Sequence, residues 1–320
     1  MNQKDTLIAI RRLEQFYRRA VKAIVKDTIT FEATFARSPE PVKFSDRSKL
    51  SYAPIQTGEI WGHTWESAWF RLSAKVPAAY AGKPVVAQLD LGGEGLVFLP
   101  NGTILQGITN GSVFDTEFGR DIVHLYDVCP GEETVELWVE AAANGLFGMF
   151  CDLDPGPDST NRYGFYDAKV NAIKLGVFDT ELWHLTLDLR VLLGLIKSLP
   201  EKSVRRARII RKAVDGLNVY ARSGDDAQAF RDIITDELRK PATASSLAVT
   251  AVGHAHIDTA WLWPVKETIR KCARTFATQL ELIARYPEYV FGASQPQHYA
   301  FVREHYPALY QRIKAAVKAG

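Results

Sequence analysis

The spacing of apolar positions changes along the chain and divides it into segments with different predicted structure. Residues 5–26 place apolar side chains at helical spacing, with arginines and lysines on the opposite face, which predicts an amphipathic helix. Over 61–150 the pattern changes to short alternating or apolar runs separated by turn residues, which predicts antiparallel strands. Helical spacing returns over 177–199, 203–221 and 225–239.

Turn residues mark the strands of the middle segment. Asn101-Gly102 lies between the apolar runs 95–99 and 103–108, and an Asn-Gly pair in that setting is a strong hairpin signal. We interpret residues 92–95, which are rich in glycine, as a turn or bulge, because no helix follows them and no Lys-Ser/Thr pair completes a phosphate-binding loop. The segment therefore predicts an antiparallel β-sandwich of the jelly-roll type. We assign its three tryptophans to core packing rather than to a sugar-stacking surface: Trp61, Trp65 and Trp69.

The last segment begins with an apolar run at 247–252, which predicts a buried strand, and continues into a predicted helix over 267–285. The polar residues between them lie where a parallel strand would end, which is the edge at which such sheets bind ligands. His254, His256 and Asp258 alternate there, so extended backbone would project them to one side. Imidazole and carboxylate donors without a thiolate suit zinc or another divalent first-row metal. Two or three residues do not complete a coordination sphere, so further ligands must come from elsewhere.

This spacing alone leaves several classes of protein open. An HxH pair after a strand also suits amidohydrolases, and HxHxD followed by His suits metallo-β-lactamases, but Thr259 follows Asp258 here. A complete amidohydrolase would need further ligands, and only His298 and His305 follow, both in helix-like sequence. A third hypothesis is non-catalytic: a carbohydrate-binding or assembly module whose β-sandwich is the working part.

The longer string GHAHIDTAWLWP at 253–264, with Glu267-Thr268 after it, closely resembles the start of the catalytic domain in glycoside hydrolase family 38 α-mannosidases. The likeness is to the cytosolic and bacterial branch of that family. Further, looser likenesses extend the resemblance over nearly the whole chain: 93–96, 144–148, 293–295 and 299–310.

The resemblance implies a role for each polar residue of the string. His256 and Asp258 are expected to be zinc ligands, and Trp261 is expected to form an aromatic wall for the mannose ring. His254 corresponds to a histidine that does not normally bind the metal directly, so we expect it to support the ligands from behind. Trp263 is expected to pack in the interior.

The resemblance also implies an activity, the zinc-dependent, retaining hydrolysis of terminal α-mannosides in oligosaccharide substrates. No catalytic residue is expected within this chain. The nucleophile, an aspartate that also binds zinc, is expected shortly after residue 320, with the acid/base aspartate and the last histidine ligand further on. The remaining acidic residues that we considered are interpreted as structural: Asp158, Glu267 and Glu288.

These patterns give an α+β fold class. We expect an N-terminal antiparallel, jelly-roll-like β-sandwich, a helical connector, and then the first βαβα unit of a truncated α/β catalytic domain. The predicted boundaries place a helix and linker at 1–54, the sandwich at 55–160, the connector at 161–245 and the start of the zinc-dependent glycosidase domain at 246–320. Two adjacent parallel strands make a poor module by themselves, so we expect that domain to be cut off after its first unit.

Composition and charge narrow the choice of partners. A net charge of +2 gives no broad electrostatic reason to expect nucleic acid or an anionic membrane. No apolar run approaches the roughly 20 residues that span a bilayer, and the N-terminus lacks the pattern of a signal peptide, so we predict a cytoplasmic protein. Cys129, Cys151 and Cys272 are widely spaced and are expected to be reduced, buried thiols. A homo-oligomer and the linkage preference are left open.

Overall fold

The computed structural model describes residues 3–111, 119–145, 166–241, 245–261 and 263–320. The chain forms two compact units: Met1–Asp27 with Val177–Val249, and Thr28–Gly176 with Thr250–Gly320. Cys151 and Asp158, and the likeness at 146–148, lie outside the described residues.

The first unit is helical and contains α1 (Gln3–Lys22), α2 (Thr180–Ser198), α3 (Val204–Arg222) and α4 (Ala227–Arg239). Its core is formed by buried aliphatic and aromatic side chains from all four helices, among them Leu13, Leu189, Ile210 and Phe230. A side-chain oxygen accepts a hydrogen bond from a backbone N–H in the first turn of α2, α3 and α4, which satisfies a group that the helix itself leaves unpaired. None of the described helices is long and apolar enough to cross a membrane.

The second unit begins with the sandwich, whose strands pair in antiparallel hairpins and ladders. In chain order they are β1 (Val25–Thr30), β2 (Glu32–Ser38), β3 (Ala53–Pro54), β4 (Ile60–His63), β5 (Ser67–Lys75), β6 (Val85–Asp90), β7 (Glu94–Phe98), β8 (Ile104–Ile108), β9 (Ile122–Tyr126), β10 (Thr134–Ala142), β11 (Asp167–Lys169) and β12 (Ala172–Phe178). One sheet has the order β1-β12-β6-β9 and the other β3-β2-β5-β10-β7-β8, with β4 and β11 as a separate pair.

Two details of the sandwich confirm the sequence-based expectations. Asn101-Gly102 turns the β7–β8 hairpin, and Gly102 adopts a φ of +88°, which only glycine accepts without strain. Trp61 and Trp69 are 1% and 2% exposed, so they pack in the interior instead of offering a sugar-stacking surface.

The remainder of the second unit is a βαβα sequence. It comprises β13 (Gly253–His254), α5 (Val265–Arg285), β14 (Phe291–Gly292), α6 (Pro296–His305) and α7 (Pro307–Ala319). Strands β13 and β14 pair in parallel, as expected for strands joined by a crossover helix. The α+β fold class is therefore confirmed.

Helix α5 packs against β8, and a glycine permits the close approach. A Cβ atom on Gly107 would lie 2.8 Å from Cβ of Arg274 and 2.9 Å from its carbonyl oxygen. The Gly107 backbone N–H donates to Thr278 Oγ1 of the same helix at 3.1 Å. One hydrophobic cluster joins the sandwich to α5. It includes Trp69, Leu96 and Ile104 from the sandwich and Cys272, Phe276 and Ala277 from α5.

The predicted buried strand at 247–252 is wrong. Leu247 and Val249 are 91% and 87% exposed, and the strand itself is limited to Gly253–His254. The reason is physical: a parallel strand is buried only when strands and helices cover it, and within the described chain β13 pairs with the two residues of β14.

The structure also divides the chain differently from the predicted boundaries at 54 and 160. Helix α1 packs with α2, α3 and α4, although more than 150 residues separate it from them in sequence. Strands β1 and β2 precede residue 55, and β12 extends the sandwich to Phe178 before α2 begins. An amphipathic helix shows from sequence that it needs an apolar partner, but its periodicity does not say which partner.

We predict that Gly107→Ala destabilises the second unit by about 1–3 kcal/mol, because the added methyl group clashes with the backbone of α5. Urea unfolding monitored by tryptophan fluorescence measures the change. Gly292→Ala is the matched control, since its Cβ would meet Val252 at an ordinary 3.8 Å. Equal stabilities of the two variants would contradict the close approach of α5 to β8.

Candidate functional site

The candidate site is built on the loop that joins β13 to α5. Its side chains alternate between two environments. Ile257 and Trp263 are buried, 7% and 3% exposed, and pack in the hydrophobic cluster that the sandwich shares with α5. His256 and Asp258 point the other way and keep 74% and 43% of their side-chain surface exposed. The apolar residues therefore anchor the loop while the polar residues remain accessible.

His256 and Asp258 are brought together. His256 Nε2 and Asp258 Oδ1 lie 3.2 Å apart. Two atoms that bind a tetrahedral zinc at 2.0–2.1 Å are separated by roughly 3.3 Å, so this pair fits neighbouring positions in such a coordination sphere. Within the described residues no group of three or more metal-binding side chains forms. His254 lies exposed in β13 and does not complete a set of three. The pair by itself supplies two of the four donors that a tetrahedral zinc site needs.

Thr268, a buried residue in the first turn of α5, fixes the loop. Its Oγ1 accepts hydrogen bonds from the Ala260 backbone N–H and from Trp263 Nε1, each at 3.0 Å, and donates to the carbonyl oxygen of Asp258 at 3.3 Å. Ala260 adopts a φ of +67°, a conformation that costs free energy for a residue with a side chain. The bonds to Thr268 hold the loop in that conformation and thereby set the position of Asp258.

His298 on α6 supports the same loop from behind. The side chain is 3% exposed and forms a hydrogen bond with the backbone of Ile257, the residue between His256 and Asp258. Burial lowers the pKa of His298, and the positive charge that His256 can carry lowers it further. A neutral imidazole in this position orients the backbone of the loop.

The tryptophans of the loop differ in their surroundings. Trp261 is 60% exposed. Its centroid lies 6.0 Å from that of Trp263, with the rings at 80° to each other. Trp263 packs in the interior, as expected, and Lys271 Nζ lies 5.0 Å from its ring centroid.

A cleft of about 250 Å³ opens beside His256. One wall comes from the sandwich and includes Thr109 and Arg120, and the other comes from α5 and includes Lys271 and Arg274. Both walls belong to the second unit. The loop that carries His256 and Asp258 therefore faces a concavity to which the sandwich contributes.

Under the loop lies a buried ion cluster. We give this name to six side chains: Glu94, Glu140, Glu267, Arg270, Lys271 and Arg274. Glu94 of β7 accepts from Lys271 Nζ at 2.8 Å and from Arg274 Nη2 at 2.6 Å. Arg274 also pairs with Glu267, whose second oxygen lies 2.5 Å from Arg270. The three acidic and three basic groups balance in charge.

Polar side chains complete the cluster at its edges. Arg270 Nη1 donates to Ser67 Oγ of the sandwich at 2.7 Å, and the guanidinium lies 3.9 Å from Glu140. The Tyr306 hydroxyl donates to the second oxygen of Glu140 at 3.1 Å. Side chains of β5, β7 and β10 thus meet those of α5 in a largely buried, hydrogen-bonded interface. Such charges are stable only as a set, because any unpaired member would remain desolvated.

The cluster shifts the protonation equilibria of its members. Burial opposes ionisation of Glu94, but the positive charges of Lys271 and Arg274 outweigh it and lower the pKa of that carboxyl to about 2. Glu140 behaves in the opposite way, because its burial dominates and raises the pKa. Burial next to Glu140 also raises the pKa of the Tyr306 hydroxyl well above its ordinary value.

Sequence reasoning found some of these residues and missed others. The interpretation of Glu267 as a structural residue agrees with its complete burial in the ion cluster. The sequence shows Glu94 only as part of a glycine-rich turn and Thr268 only as part of a longer motif, without a predicted role for either. An acidic residue flanked by glycines at the start of a strand was the only available signal for Glu94. Its partners, Lys271 and Arg274, lie far away in sequence.

The two parts of the second unit, the sandwich and the C-terminal βαβα sequence, each match a known family model. Residues 27–171 match the family model described as the α-mannosidase jelly roll domain. Residues 246–320 match the model of the glycosyl hydrolases family 38 N-terminal domain.

Individual proteins similar to this chain are also α-mannosidases. The chain is 33% identical over 286 residues to alpha-mannosidase 2C1 of Homo sapiens and 32% identical over 290 residues to alpha-mannosidase G of Dictyostelium discoideum. These alignments cover 87% and 88% of this chain but only 26% and 25% of the relatives, so the chain spans about a quarter of their length. Among solved structures, a β-glucuronidase from Ruminococcus gnavus aligns with a TM-score of 0.32 and 10% identity, over 48% of this chain and 28% of that one. A likeness that low carries no argument about function.

We predict that Glu94→Gln destabilises the second unit by about 3 kcal/mol, because it leaves buried cations without their partner. The loss should depend on pH. The folded-state pKa of about 2 lies below the ordinary 4.5, so the contribution of Glu94 is complete above pH 4.5 and disappears as the pH falls towards 2. Urea unfolding of both proteins between pH 7 and pH 3 measures the difference. Glu304→Gln, an exposed change on α6, should show none, and a pH-independent deficit in Glu94→Gln would contradict the assignment.

Proposed function

Because this chain belongs to the α-mannosidases of glycosyl hydrolase family 38, we propose that it is the N-terminal part of an enzyme that hydrolyses terminal α-mannosides by a zinc-dependent, retaining mechanism. The observation that carries the zinc part of the proposal is the His256–Asp258 pair, two donors 3.2 Å apart on an anchored loop beside a cleft. The substrate class rests on the family.

The donor chemistry fits zinc. A neutral imidazole nitrogen and a carboxylate oxygen are both common zinc ligands, and their separation suits adjacent coordination positions. When bound, zinc would supply a Lewis-acid contact for hydroxyl groups of the sugar. The residues of this chain would then hold the site in place: Thr268 fixes the carbonyl of Asp258, and His298 fixes the backbone between the two ligands. His254 remains our prediction for a supporting role.

Trp261 suits the recognition of a sugar ring. Its side chain, 60% exposed, lies on the same loop as His256 and Asp258, and aromatic rings pack against the apolar side of a pyranose. Retaining hydrolysis also needs two carboxyl groups about 5 Å apart, one as nucleophile and one as acid/base. We assign no residue of this chain to either role, because the buried carboxylates of the second unit are held in the ion cluster.

The other hypotheses have less support. An amidohydrolase would need His298 or His305 as ligands, but within the described residues neither joins His256 and Asp258 in a group of three metal-binding side chains. A sugar-binding sandwich would use exposed aromatic side chains, and Trp61 and Trp69 are buried. A reducing, cytoplasmic setting stays a prediction, supported by the free, buried thiols of Cys129 and Cys272.

We predict that the 320-residue chain binds zinc weakly, because two protein ligands leave the coordination sphere incomplete. His256→Ala should abolish the binding in isothermal titration calorimetry. His305→Ala, which removes an exposed histidine of α6, should leave it unchanged. Tight, stoichiometric zinc binding by the chain would mean that it contains further ligands, and would favour the amidohydrolase hypothesis.

The activity is tested by release of nitrophenol from nitrophenyl α-mannoside. Residues 1–320 should give no turnover, since they lack the catalytic carboxyl groups. A protein that continues through the rest of the family 38 domain should be active and lose its activity with a chelator, and Asp258→Ala should lower its rate by orders of magnitude. Turnover by residues 1–320 that disappears in Asp258→Ala would show that a sufficient site is already present.

A further inference from the structure

The cleft beside His256 contains a cation that the ion cluster does not neutralise. Arg120 lies on its sandwich wall, half-buried, and its backbone pairs with Thr109 through two hydrogen bonds of 3.0 Å. The base of this long side chain is therefore fixed. In the part of the chain that the structure describes, the guanidinium of Arg120 makes neither a hydrogen bond nor an ion pair.

In the charge balance of the described residues around the cleft, Arg120 contributes a positive charge beyond those of the ion cluster. Lys271 and Arg274 also line it, but Glu94 engages both of them and Glu267 engages Arg274 again. The cluster as a whole is neutral, so within the described residues Arg120 adds a positive charge that no acidic side chain pairs with. Burial disfavours that charge and lowers the pKa of Arg120. A half-buried cation held on a fixed backbone beside an open cleft is stabilised when an anion enters.

The chemistry of the side chain defines the ligand. A guanidinium presents a planar fork of donors that matches the two oxygens of a phosphate or a carboxylate. The volume of about 250 Å³ holds a compact group rather than a chain of sugars. Because the same cleft is lined by His256, an anion bound there would lie next to a sugar at the metal-binding pair.

We propose that this cleft is an anion subsite in which Arg120 recognises a phosphate or carboxylate group attached to the mannose of the substrate. The part of the proposal that concerns mannose rests on the proposed function, whereas the anion site does not. The sandwich would then contribute directly to substrate specificity, through a residue outside the loop that carries the metal-binding pair.

The test uses the 320-residue chain and three probes at constant ionic strength in chloride buffer: inorganic phosphate, methyl α-mannoside and α-mannose 1-phosphate. Binding is followed by NMR, through the indole N–H of Trp263, which lines the cleft. We expect α-mannose 1-phosphate to bind at least tenfold more tightly than inorganic phosphate. Arg120→Gln should weaken both by about tenfold or more, since a charge-assisted hydrogen bond is lost, and Arg120→Lys should weaken them less.

Lys75→Gln, which removes an exposed cation at the end of β5, should change neither affinity. Because Arg120 has no described partner, Arg120→Gln should melt at or above the temperature of the unaltered chain, which separates lost binding from lost folding. Phosphate affinities that are equal in Arg120→Gln and the unaltered chain would overturn the anion site. Phosphate binding through Arg120 without any gain from the attached mannose would overturn the substrate assignment and leave a site for free anions. Failure of mannoside hydrolysis in the activity assay would not alter the phosphate result.

Discussion

The buried ion cluster is the interaction on which the second unit depends. It places Glu94 and Glu140 of the sandwich against Arg270, Lys271 and Arg274 of α5, in surroundings from which water is largely excluded. Charges in such surroundings destabilise the protein singly and are tolerated only together. Helix α5 therefore has no favourable position away from the sandwich, and the sandwich has no favourable way to leave Glu94 uncovered.

The interface between the sandwich and α5 sets the geometry of the candidate site. Thr268 lies one residue after Glu267 of the cluster, and its hydroxyl holds the loop at Asp258 and Ala260. Ile257 and Trp263 anchor the same loop in the hydrophobic cluster that Trp69 and Leu96 share with α5. A chain of contacts thus runs from the sandwich through α5 to His256 and Asp258. On this account the sandwich is a platform for the site as well as one wall of its cleft.

Local sequence patterns predicted the helices and strands. They failed where burial or pairing depends on residues that are distant in sequence. Asn101-Gly102 between apolar runs predicted the β7–β8 hairpin because turn chemistry is local, and helical periodicity over 267–285 predicted α5. The run at 247–252 looks like a buried strand, yet burial depends on neighbouring strands that a single segment does not encode. The pairing of Glu94 with Arg274 joins residues 180 positions apart, and no local pattern identifies it. The same contrast holds at the candidate site. The alternation of His256 and Asp258 is a local pattern that the sequence shows, whereas the support from Thr268 and His298 depends on tertiary contacts that it does not show.

Native-state hydrogen exchange measures most directly whether the sandwich and α5 form one cooperative structure. Amide exchange is followed in the 320-residue chain at increasing, sub-denaturing concentrations of denaturant. The account predicts that the slowest amides of α5 and of β10 converge on the same free energy of opening, because neither element can leave the ion cluster without the other. Exchange of α5 at a clearly lower free energy, with β10 still fully protected, would show that α5 merely rests on a sandwich that is stable without it.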